Sequence, residues 1–301
     1  MHQPTASRSP TTRLSLPDAS AAGFLRAFIA RDARGCGLAG DALLNRFPAS
    51  AHCTVTWFLE GSAELLACGG ASLRQPLARC VVGGCQTAPV TSLNRGEVHA
   101  CIAMFYPDAF HALFGVDLAR LQNRFVDAQA VLPAHGLELV AAVFAAPDDG
   151  ERQRRIEDCI ARHGAGAALP VWTRMRRSGS RLTLALASRL IGLGPRQLQR
   201  VALRQAGASL QTSMRLWRGE RSFLRAQRRY LAGAPLDMAE HALDNDYADQ
   251  SHMVRDCKAQ TGRTPLQLAR DVQSEEADWI YRLEFPLECP PDEDSPPTRS
   301  A

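Results

Sequence analysis

The segment TLALASRLIGLGPRQLQRVALRQ, residues 183–205, carries the local signals of two short helices joined by a tight turn. Gly192 can adopt the positive φ that such a turn requires. Pro195 suits the first turn of the second helix, where its missing N–H leaves no hydrogen bond unmade. The segment therefore predicts a helix–turn–helix unit. The apolar residues expected to face inward are Leu184, Ala187, Leu190 and Ile191 in the first helix and Leu198, Val201 and Ala202 in the second.

The outward face of the second helix carries side chains that suit the major groove of DNA. Arginine reads guanine edges with two hydrogen bonds, and glutamine reads adenine in the same way. A helix that presents such groups on one face can enter the groove and specify a sequence. We therefore predict DNA contacts from four residues of this helix, which are Arg196, Gln199, Arg200 and Arg204.

A second unit of the same kind follows in LDMAEHALDNDYADQSHMVRDCKAQ, residues 236–260. Asn245-Asp246 marks the turn, and Asp249 stands where the N-cap of the next helix is expected. The supporting helix is marked by Met238, Ala239, Ala242 and Leu243, and the inward face of the next helix by Met253 and Cys257. The residues predicted to contact DNA are Gln250, Ser251, Val254, Arg255 and Lys258.

An arginine-rich helix is predicted between the two units, over Ser209–Leu231. Its Arg215 and Arg218 are candidate DNA contacts that would weaken binding to all sequences alike when removed, or act through folding. Between Val171 and Val272 the chain holds 18 basic and 8 acidic residues, although its formal net charge is only +4. This local excess of positive charge is typical of a domain that binds a polyanion.

Three motifs in this region resemble the AraC-type family of bacterial transcription regulators. They are GLGPRQLQR (192–200), the run ending in YADQSH at residue 252, and TGRTPLQL (261–268). The resemblance covers about Val171 to Asp271 and implies a seven-helix domain with two helix–turn–helix units. It also implies that Pro195–Gln205 and Asp249–Gln260 are recognition helices that enter successive major grooves on one face of the duplex.

The chain departs from the family pattern at four positions. Asp246 replaces the turn glycine of the second unit, and aspartate tolerates left-handed geometry better than most residues do. Val201, Ser213 and Cys257 stand where the family usually has large aromatic side chains. These smaller residues predict a looser core for the DNA-binding domain, or one repacked by larger residues. The candidates for that repacking are Trp217, Phe223 and Trp279.

The N-terminal half predicts a small sheet, because short apolar runs alternate with turn residues. The runs are Cys53–Leu59, Ala63–Cys68 and Ala78–Val82, and the turns are Gly69-Gly70, Gly83-Gly84 and Asn94-Arg95-Gly96. The pattern becomes helical after Pro107. The stretches at 46–66, 81–89 and 104–127 resemble, more faintly, the sensing domains that precede AraC-type DNA-binding domains. This resemblance implies a cupin-type β-barrel with helices, and hence an α+β chain.

The composition predicts five segments along the chain. Residues 1–17 are expected to be disordered, 18–163 to form the regulatory domain and 164–170 to be a Gly/Ala linker. Residues 171–284 are expected to form the DNA-binding domain, and 285–301 a disordered acidic tail.

Nine scattered cysteines without a CxxC pair, and no signal-peptide pattern, predict reduced thiols in the cytoplasm. Their expected role is that of small buried side chains, with a redox or metal sensor as the alternative. No two histidines form the close pair that a cupin metal site needs, so no metal is predicted. The chain lacks GxSxG, P-loop, HExxH and GxGxxG motifs, so we expect no catalytic residue, no cofactor and no enzyme activity.

Together these features predict a sequence-specific regulator of transcription that binds double-stranded DNA at a promoter or operator. Further candidate partners are RNA polymerase, a small-molecule effector and a second copy of the chain. No apolar run approaches the roughly 18 residues of a membrane span, so no membrane partner is expected. The main alternative is a non-catalytic protein–protein adaptor with a degenerate basic helical domain. A cysteine-based alkyltransferase or redox sensor is the other alternative.

Overall fold

Two antiparallel sheets face each other in the N-terminal half of the computed structural model, which describes residues 8–164 and 194–287. The larger sheet has the order β1 (Thr11–Ser15), β2 (Leu25–Asp32), β9 (His99–Phe105), β4 (Cys53–Glu60), β7 (Cys80–Gly83) and β10 (Phe125–Asp127). The smaller sheet has the order β3 (Leu44–Phe47), β8 (Val90–Asn94), β5 (Ala63–Cys68) and β6 (Ala71–Pro76). The three apolar runs of the sequence lie in β5, β4 and around β7, and the Gly69-Gly70 turn joins β5 to β6 with both glycines at positive φ.

The strands β2, β4, β7 and β9 of the larger sheet present one face to a helical core and the other to an internal cavity. On β4, Val55 and Trp57 are buried in the helical core, whereas Thr54 and Thr56 line the cavity. The same alternation places Phe105 of β9 in the core. Because successive side chains of a strand point to opposite faces, one sheet can serve both surfaces.

Four helices cover the core face of the larger sheet. They are α1 (Pro107–Phe114), α2 (Ala128–Val131), α3 (Ala134–Ala145) and α4 (Asp149–His163). The rings of Phe105 and Phe110 meet edge to face with centroids 5.5 Å apart, and those of Phe110 and Phe114 lie 4.8 Å apart. Such aromatic contacts add to the stabilisation from burial alone.

The described part of the C-terminal half is helical. Its elements are α5 (Pro195–Ala206), α6 (Leu210–Leu231), α7 (Met238–Asp244), α8 (Gln250–Thr261), α9 (Pro265–Ser274) and a 3₁₀ helix (Glu276–Arg282). The long helix expected at 209–231 is confirmed, with Ser209 as its N-cap. The chain is thus α+β, as expected from the sequence. The supporting helix predicted before Gly192 lies outside the described residues.

Two sequence expectations about disordered ends are wrong where the structure describes them. Composition predicts disorder over residues 1–17, but Thr11–Ser15 forms an edge strand that pairs with β2 from Thr11–Asp32 to Ser15–Phe28. The tail expected from residue 285 begins ordered, because the backbone oxygen of Pro286 accepts a 2.7 Å hydrogen bond from Arg26. In both cases the order comes from contacts distant in sequence, which local composition does not encode.

The Gly83-Gly84 pair is a close-approach site rather than a turn between strands. Gly83 belongs to β7, and a Cβ there would lie 2.6 Å from the ring of Phe125. At Gly84 a Cβ would lie 2.3 Å from the backbone oxygen of Leu121. Glycine is needed here because neighbouring chain segments leave no room for a side chain. Of the predicted linker, only Gly164 is described.

No helix among residues 8–164 and 194–287 is long and apolar enough to cross a membrane.

Candidate nucleic-acid interface

The first predicted recognition helix is α5, and its inward and outward faces are as expected. Leu198 and Ala202 are buried and Val201 is half-buried. The side-chain oxygen of Gln197 accepts a 3.3 Å hydrogen bond from the N–H of Gly194, which closes the start of the helix. The helix ends at Gly207, a residue with φ of +68°.

The polar face of α5 is open to solvent. The four predicted DNA contacts on this helix are exposed, and none of them forms a hydrogen bond or ion pair within the described chain; they are Arg196, Gln199, Arg200 and Arg204. An unpaired guanidinium can turn to a phosphate or a base edge without first breaking an internal bond. This face is therefore available to a polyanion.

The second predicted recognition helix, α8, is built in the same way. The carboxylate of Asp249 accepts a 2.6 Å hydrogen bond from the N–H of His252, which confirms the expected N-cap. Met253 is buried, and Gly262 ends the helix with φ of +77°. The predicted contacts Gln250, Ser251, Arg255 and Lys258 are exposed, and Val254 is half-buried.

The turn before α8 carries the predicted departure from the family pattern. Asp246 has φ of +61°, so the aspartate adopts the left-handed conformation that the family's glycine would supply. The Asp246 carboxylate accepts a 2.9 Å hydrogen bond from Arg221, and its backbone oxygen accepts one of 3.3 Å from Arg218. Two arginines of α6 therefore hold this turn in place.

Arg215 and Arg218 of α6 are engaged inside the domain. The Arg218 guanidinium lies 3.4 Å from the buried carboxylate of Asp256 and 4.4 Å from the ring centroid of Tyr247. Arg215 lies 3.8 Å from the same carboxylate. The Tyr247 hydroxyl donates to Asp256 at 3.2 Å, and burial raises the pKa of that hydroxyl. This cluster joins α6 to α8, so the two arginines position the second recognition helix.

Two of the three large residues expected to repack the DNA-binding core instead contact the N-terminal domain. Trp217 packs on a cluster that includes Ala49, Ala51 and Cys85. Trp279 packs on β3, where its ring meets Phe47 edge to face at 5.7 Å. Only Phe223 packs inside the helical domain, against Leu268, Val272 and Tyr281. The expectation for Trp217 and Trp279 is corrected, because an extensive interface covers them.

Both recognition helices are anchored to the N-terminal domain. The backbone oxygen of Gln260, near the end of α8, accepts a 2.7 Å hydrogen bond from the N–H of Ala49. Gly207, just after α5, lies so close to Leu118 that a Cβ would come within 2.9 Å of its backbone oxygen. The N-terminal domain therefore contacts both helix–turn–helix units. No sequence pattern indicates these backbone contacts.

A cavity of about 230 Å³ lies between the two facing sheets and the helical domain. Residues of both domains line it. The sheets contribute Ile29, Thr54, Thr56, Val90 and Ile102, and the helical domain contributes Phe223, Leu224, Trp279, Leu283 and Phe285. A small molecule in this space would contact the DNA-binding and N-terminal domains at once.

The cysteines are mostly buried among apolar side chains. Seven of the eight described cysteines are buried, and Cys257 is half-buried. Burial raises the pKa of Cys80 and of Cys85 to about 12, so neither thiol ionises readily. Because the thiolate is the reactive form, these side chains are poor nucleophiles. No group of three or more metal-ligating side chains occurs within the described residues.

Residues 187–271 match the family model described as a helix-turn-helix domain. This region is an AraC-type helix–turn–helix domain. The match covers both recognition helices completely. Of the supporting helix predicted before the first one, it covers a part. It identifies residues 187–271 as a DNA-binding domain, which confirms the interpretation of the three motifs.

Several solved structures of ToxT from Vibrio cholerae resemble the chain loosely. Apo ToxT is 10% identical, with 84% of this chain and 98% of that chain covered and a TM-score of 0.44. Another ToxT structure is 11% identical, covers 77% and 98%, and has a TM-score of 0.41. ToxT bound to an unsaturated fatty acid is 11% identical, covers 75% and 93%, and has a TM-score of 0.39. No curated protein sequence matches the chain.

Proposed function

We propose that the chain regulates transcription by direct base reading through α5 and α8, each in one of two successive major-groove segments. The observation that carries this proposal is the shared construction of the two helices. Each buries one face, which is apolar in α5 and consists of Met253, Asp256 and Gln260 in α8. Each exposes arginine together with glutamine, and these arginines have no partner within the described chain.

The long helix α6 provides the internal contrast. Arg215, Arg218 and Arg221 lie on it, and all three are paired with aspartates of the second unit. Arginines committed to internal ion pairs position the reading helices, whereas the arginines of the reading helices, which have no partner among residues 8–164 and 194–287, contact the bases. We therefore assign base reading to Arg200 and Arg255 and a positioning role to Arg218.

Binding to a library of duplexes with randomised sites tests this proposal. If both helices read bases, the bound sequences contain two blocks about 10 base pairs apart, one for each helix. Arg200→Ala and Arg255→Ala should each cost about 1–3 kcal/mol at the preferred site and relax the preference in different blocks. Arg74→Ala removes an exposed arginine from β6 and serves as the matched control for lost charge.

The alternative outcomes are equally specific. A uniform loss of affinity in Arg200→Ala and Arg255→Ala, with no change in preference at any position, overturns direct reading by these helices. Salt-dependent binding without any sequence preference in the unaltered chain would favour an adaptor with a degenerate basic domain.

We also infer that a small-molecule effector occupies the cavity between the sheets. The supporting observation is that residues from both domains line it, so that a ligand there can alter how the N-terminal domain holds the reading helices. RNA polymerase and a second copy of the chain remain predicted as further partners.

A further inference from the structure

A segment beyond the matched domain forms part of the cavity wall. We call residues 275–287 the strap; they follow α9 and contact β2 and β3 of the N-terminal sheets. Trp279, Leu283 and Phe285 of the strap line the cavity. The family match ends at residue 271, so the strap lies beyond the matched region of the helical domain.

Ion pairs hold the first part of the strap against β2 and β3 of the N-terminal sheets. Glu276 pairs with Arg31 of β2, and Glu275 pairs with Arg46 of β3. Asp278 is completely buried and accepts hydrogen bonds from Arg263 at 2.5 and 2.7 Å. These contacts tie the strap to the N-terminal domain on one side and to the residue that follows α8 and Gly262 on the other.

Aromatic contacts complete the closure. The guanidinium carbon of Arg31 lies 4.6 Å from the centroid of the Trp279 ring, and the Trp279 indole N–H donates to Asn45 at 2.8 Å. At the far end of the strap, the Arg26 guanidinium lies over the Phe285 ring at 5.4 Å. Removing the strap would take Trp279, Leu283 and Phe285 out of the cavity wall and expose more of it to water.

The charges in the cavity wall are balanced. Arg31 and Glu220 line the cavity, and each already has a partner of opposite charge. Arg31 pairs with Glu276, and Glu220 lies 3.6 Å from Arg26. Of the Arg31 guanidinium nitrogens, only the buried Nε lacks a hydrogen-bond partner within the described residues. A ligand carboxylate would have to compete with Glu276 for the rest of that guanidinium, while losing its own hydration.

The polar amides of the wall are satisfied as well. The Asn45 amide donates to Asn94 at 3.0 Å and to Ser92 at 3.3 Å, and its oxygen accepts from Trp279. The remaining wall is mostly aliphatic and aromatic, with the polar side chains Ser50, Thr54, Thr56, Gln86, Gln260 and Thr261 among it. His52 and Tyr281 also line it. His52 lies 3.8 Å from Glu220, and the Tyr281 hydroxyl has no hydrogen-bond partner within the described residues. A cavity of about 150 Å³ accommodates benzene, so 230 Å³ suits a molecule of about nine or ten non-hydrogen atoms.

We propose that the cavity binds a small, uncharged and largely apolar molecule, and that the strap must open to admit it. This inference rests on the proposed effector role of the cavity. The bound molecule contacts both sheets and the strap, so it holds the strap closed and joins the DNA-binding domain to the N-terminal domain.

Three probes of similar size test the preference for an uncharged ligand. Indole is apolar and has nine non-hydrogen atoms, and phenylacetamide and phenylacetate differ essentially in charge alone. Calorimetric titration of the full chain should give saturable one-to-one binding of indole and of phenylacetamide, and at least tenfold weaker binding of phenylacetate. Equal or tighter binding of phenylacetate overturns the proposal, and so does the absence of saturable binding by both neutral probes.

Filling the cavity tests the location of the probe. Ile102→Phe adds volume at a lining residue and should weaken indole binding at least tenfold. Circular dichroism checks that this variant folds, and Thr56→Leu provides a smaller change at another lining residue. Unchanged indole affinity in a folded cavity-filling variant places the probe elsewhere and overturns the proposal.

A matched pair of strap variants tests the closure. Glu276→Gln removes the charge that pairs with Arg31, whereas Glu284→Gln changes an exposed residue of the same segment. Glu276→Gln should increase the dissociation rate of indole severalfold and speed amide exchange in residues 275–287, and Glu284→Gln should change neither. Equal rates in the two variants overturn the role of the strap.

DNA binding by the same preparations separates this inference from the proposed function. Neutral probes that bind a chain without affinity for any duplex support the cavity site while contradicting the DNA-binding proposal. A chain that reads DNA but binds none of the neutral probes supports the DNA-binding proposal and contradicts the cavity site.

Discussion

The indole N–H of Trp279 donates a 2.8 Å hydrogen bond to the side-chain oxygen of Asn45, 234 positions earlier in the chain. Both residues are buried, and the bond joins the segment after the DNA-binding domain to β3 of the N-terminal domain. An unpaired polar group at such a site costs more free energy than the bond itself contributes. This pair therefore makes the docking of the two domains sensitive to single substitutions.

Asn45→Leu should lower the free energy of unfolding by about 1–3 kcal/mol, because it leaves the Trp279 N–H buried without an acceptor. Trp279→Phe removes that N–H and keeps an aromatic ring. Asn45→Leu should therefore lower the free energy of unfolding less in the Trp279→Phe variant than in the unaltered chain. Urea denaturation of the four proteins measures the coupling, and strictly additive losses would show that the bond contributes nothing.

Gly219→Ala should destabilise the protein although alanine favours helices over glycine. Gly219 lies within α6, where a Cβ would come within 2.2 Å of the side-chain oxygen of Gln260. The same Gln260 donates to the backbone of Arg215 at 3.3 Å, so it cannot move without loss of that bond. We expect a loss of about 1–3 kcal/mol from the overpacking.

The Gln260→Ala background provides the control for that change. In this background the Gln260 amide that a Cβ at position 219 would meet is absent. Gly219→Ala should then leave the free energy of unfolding unchanged or raise it by up to about 1 kcal/mol. A stabilising effect of Gly219→Ala in the unaltered chain would mean that α6 and α8 do not approach each other this closely.

Asp246→Asn and Asp246→Ala remove the same charge but should differ in stability. Asp246 has φ of +61°, a conformation that asparagine adopts readily and alanine does not. We expect Asp246→Ala to cost about 1–2 kcal/mol more than Asp246→Asn in thermal or urea denaturation. If the two variants are equally stable, the turn does not depend on left-handed geometry.

Local signals made the helix–turn–helix units predictable from the sequence. Pro195, Asp249 and Gly262 act on their immediate neighbours, and each stands where capping chemistry requires. The burial of Leu198 and Met253 likewise follows from helical spacing alone. The predicted exposure of the reading residues follows from the same periodicity.

The interface between the domains was not predictable in this way. Leu243 fits the apolar pattern of α7 but is 65% exposed, and Trp279 lies among acidic residues and yet is buried on β3. Asn45 and Arg31, which bind Trp279 and Glu276, lie more than 200 positions away, in strands whose sequence contains no indication of these contacts. Long-range docking depends on surface complementarity, which a periodic pattern does not contain.

His241 should make the DNA-binding domain less stable in mild acid. It is buried in α7, and burial lowers its pKa below the ordinary value near 6.5, because the charged imidazole loses solvation. Ser222 contacts the ring at 3.0 Å, and the charged groups that act on it are Arg225, Arg229 and Asp244.

The sign of this effect follows from proton binding. The unfolded chain takes up the His241 proton more readily than the folded chain does, so stability is full above about pH 6.5 and falls as the pH drops below it. The free energy of unfolding, measured with urea at pH 7.5 and 5.5, should decrease less in His241→Gln than in the unaltered chain. His163→Gln, at an exposed histidine, should keep the full decrease. An equal pH dependence in His241→Gln and the unaltered chain would rule out this histidine as the source.

Arg218→Ala should reduce affinity for every duplex by a similar factor and leave sequence preference unchanged. Its guanidinium holds Asp256 of α8 at 3.4 Å and lies over Tyr247, so its loss loosens the second recognition helix rather than removing a base contact. Arg255→Ala lacks this structural effect, because Arg255 is exposed and has no internal partner within the described chain. Arg218→Ala should therefore also lower the unfolding midpoint in urea, whereas Arg255→Ala should not.

DNA affinity and urea stability are measured for both variants. Arg218→Lys should not restore stability fully, because an ammonium lacks the planar fork that spans the carboxylate and the ring. A positional change in preference caused by Arg218→Ala, at unchanged stability, would instead place this side chain among the residues that read bases.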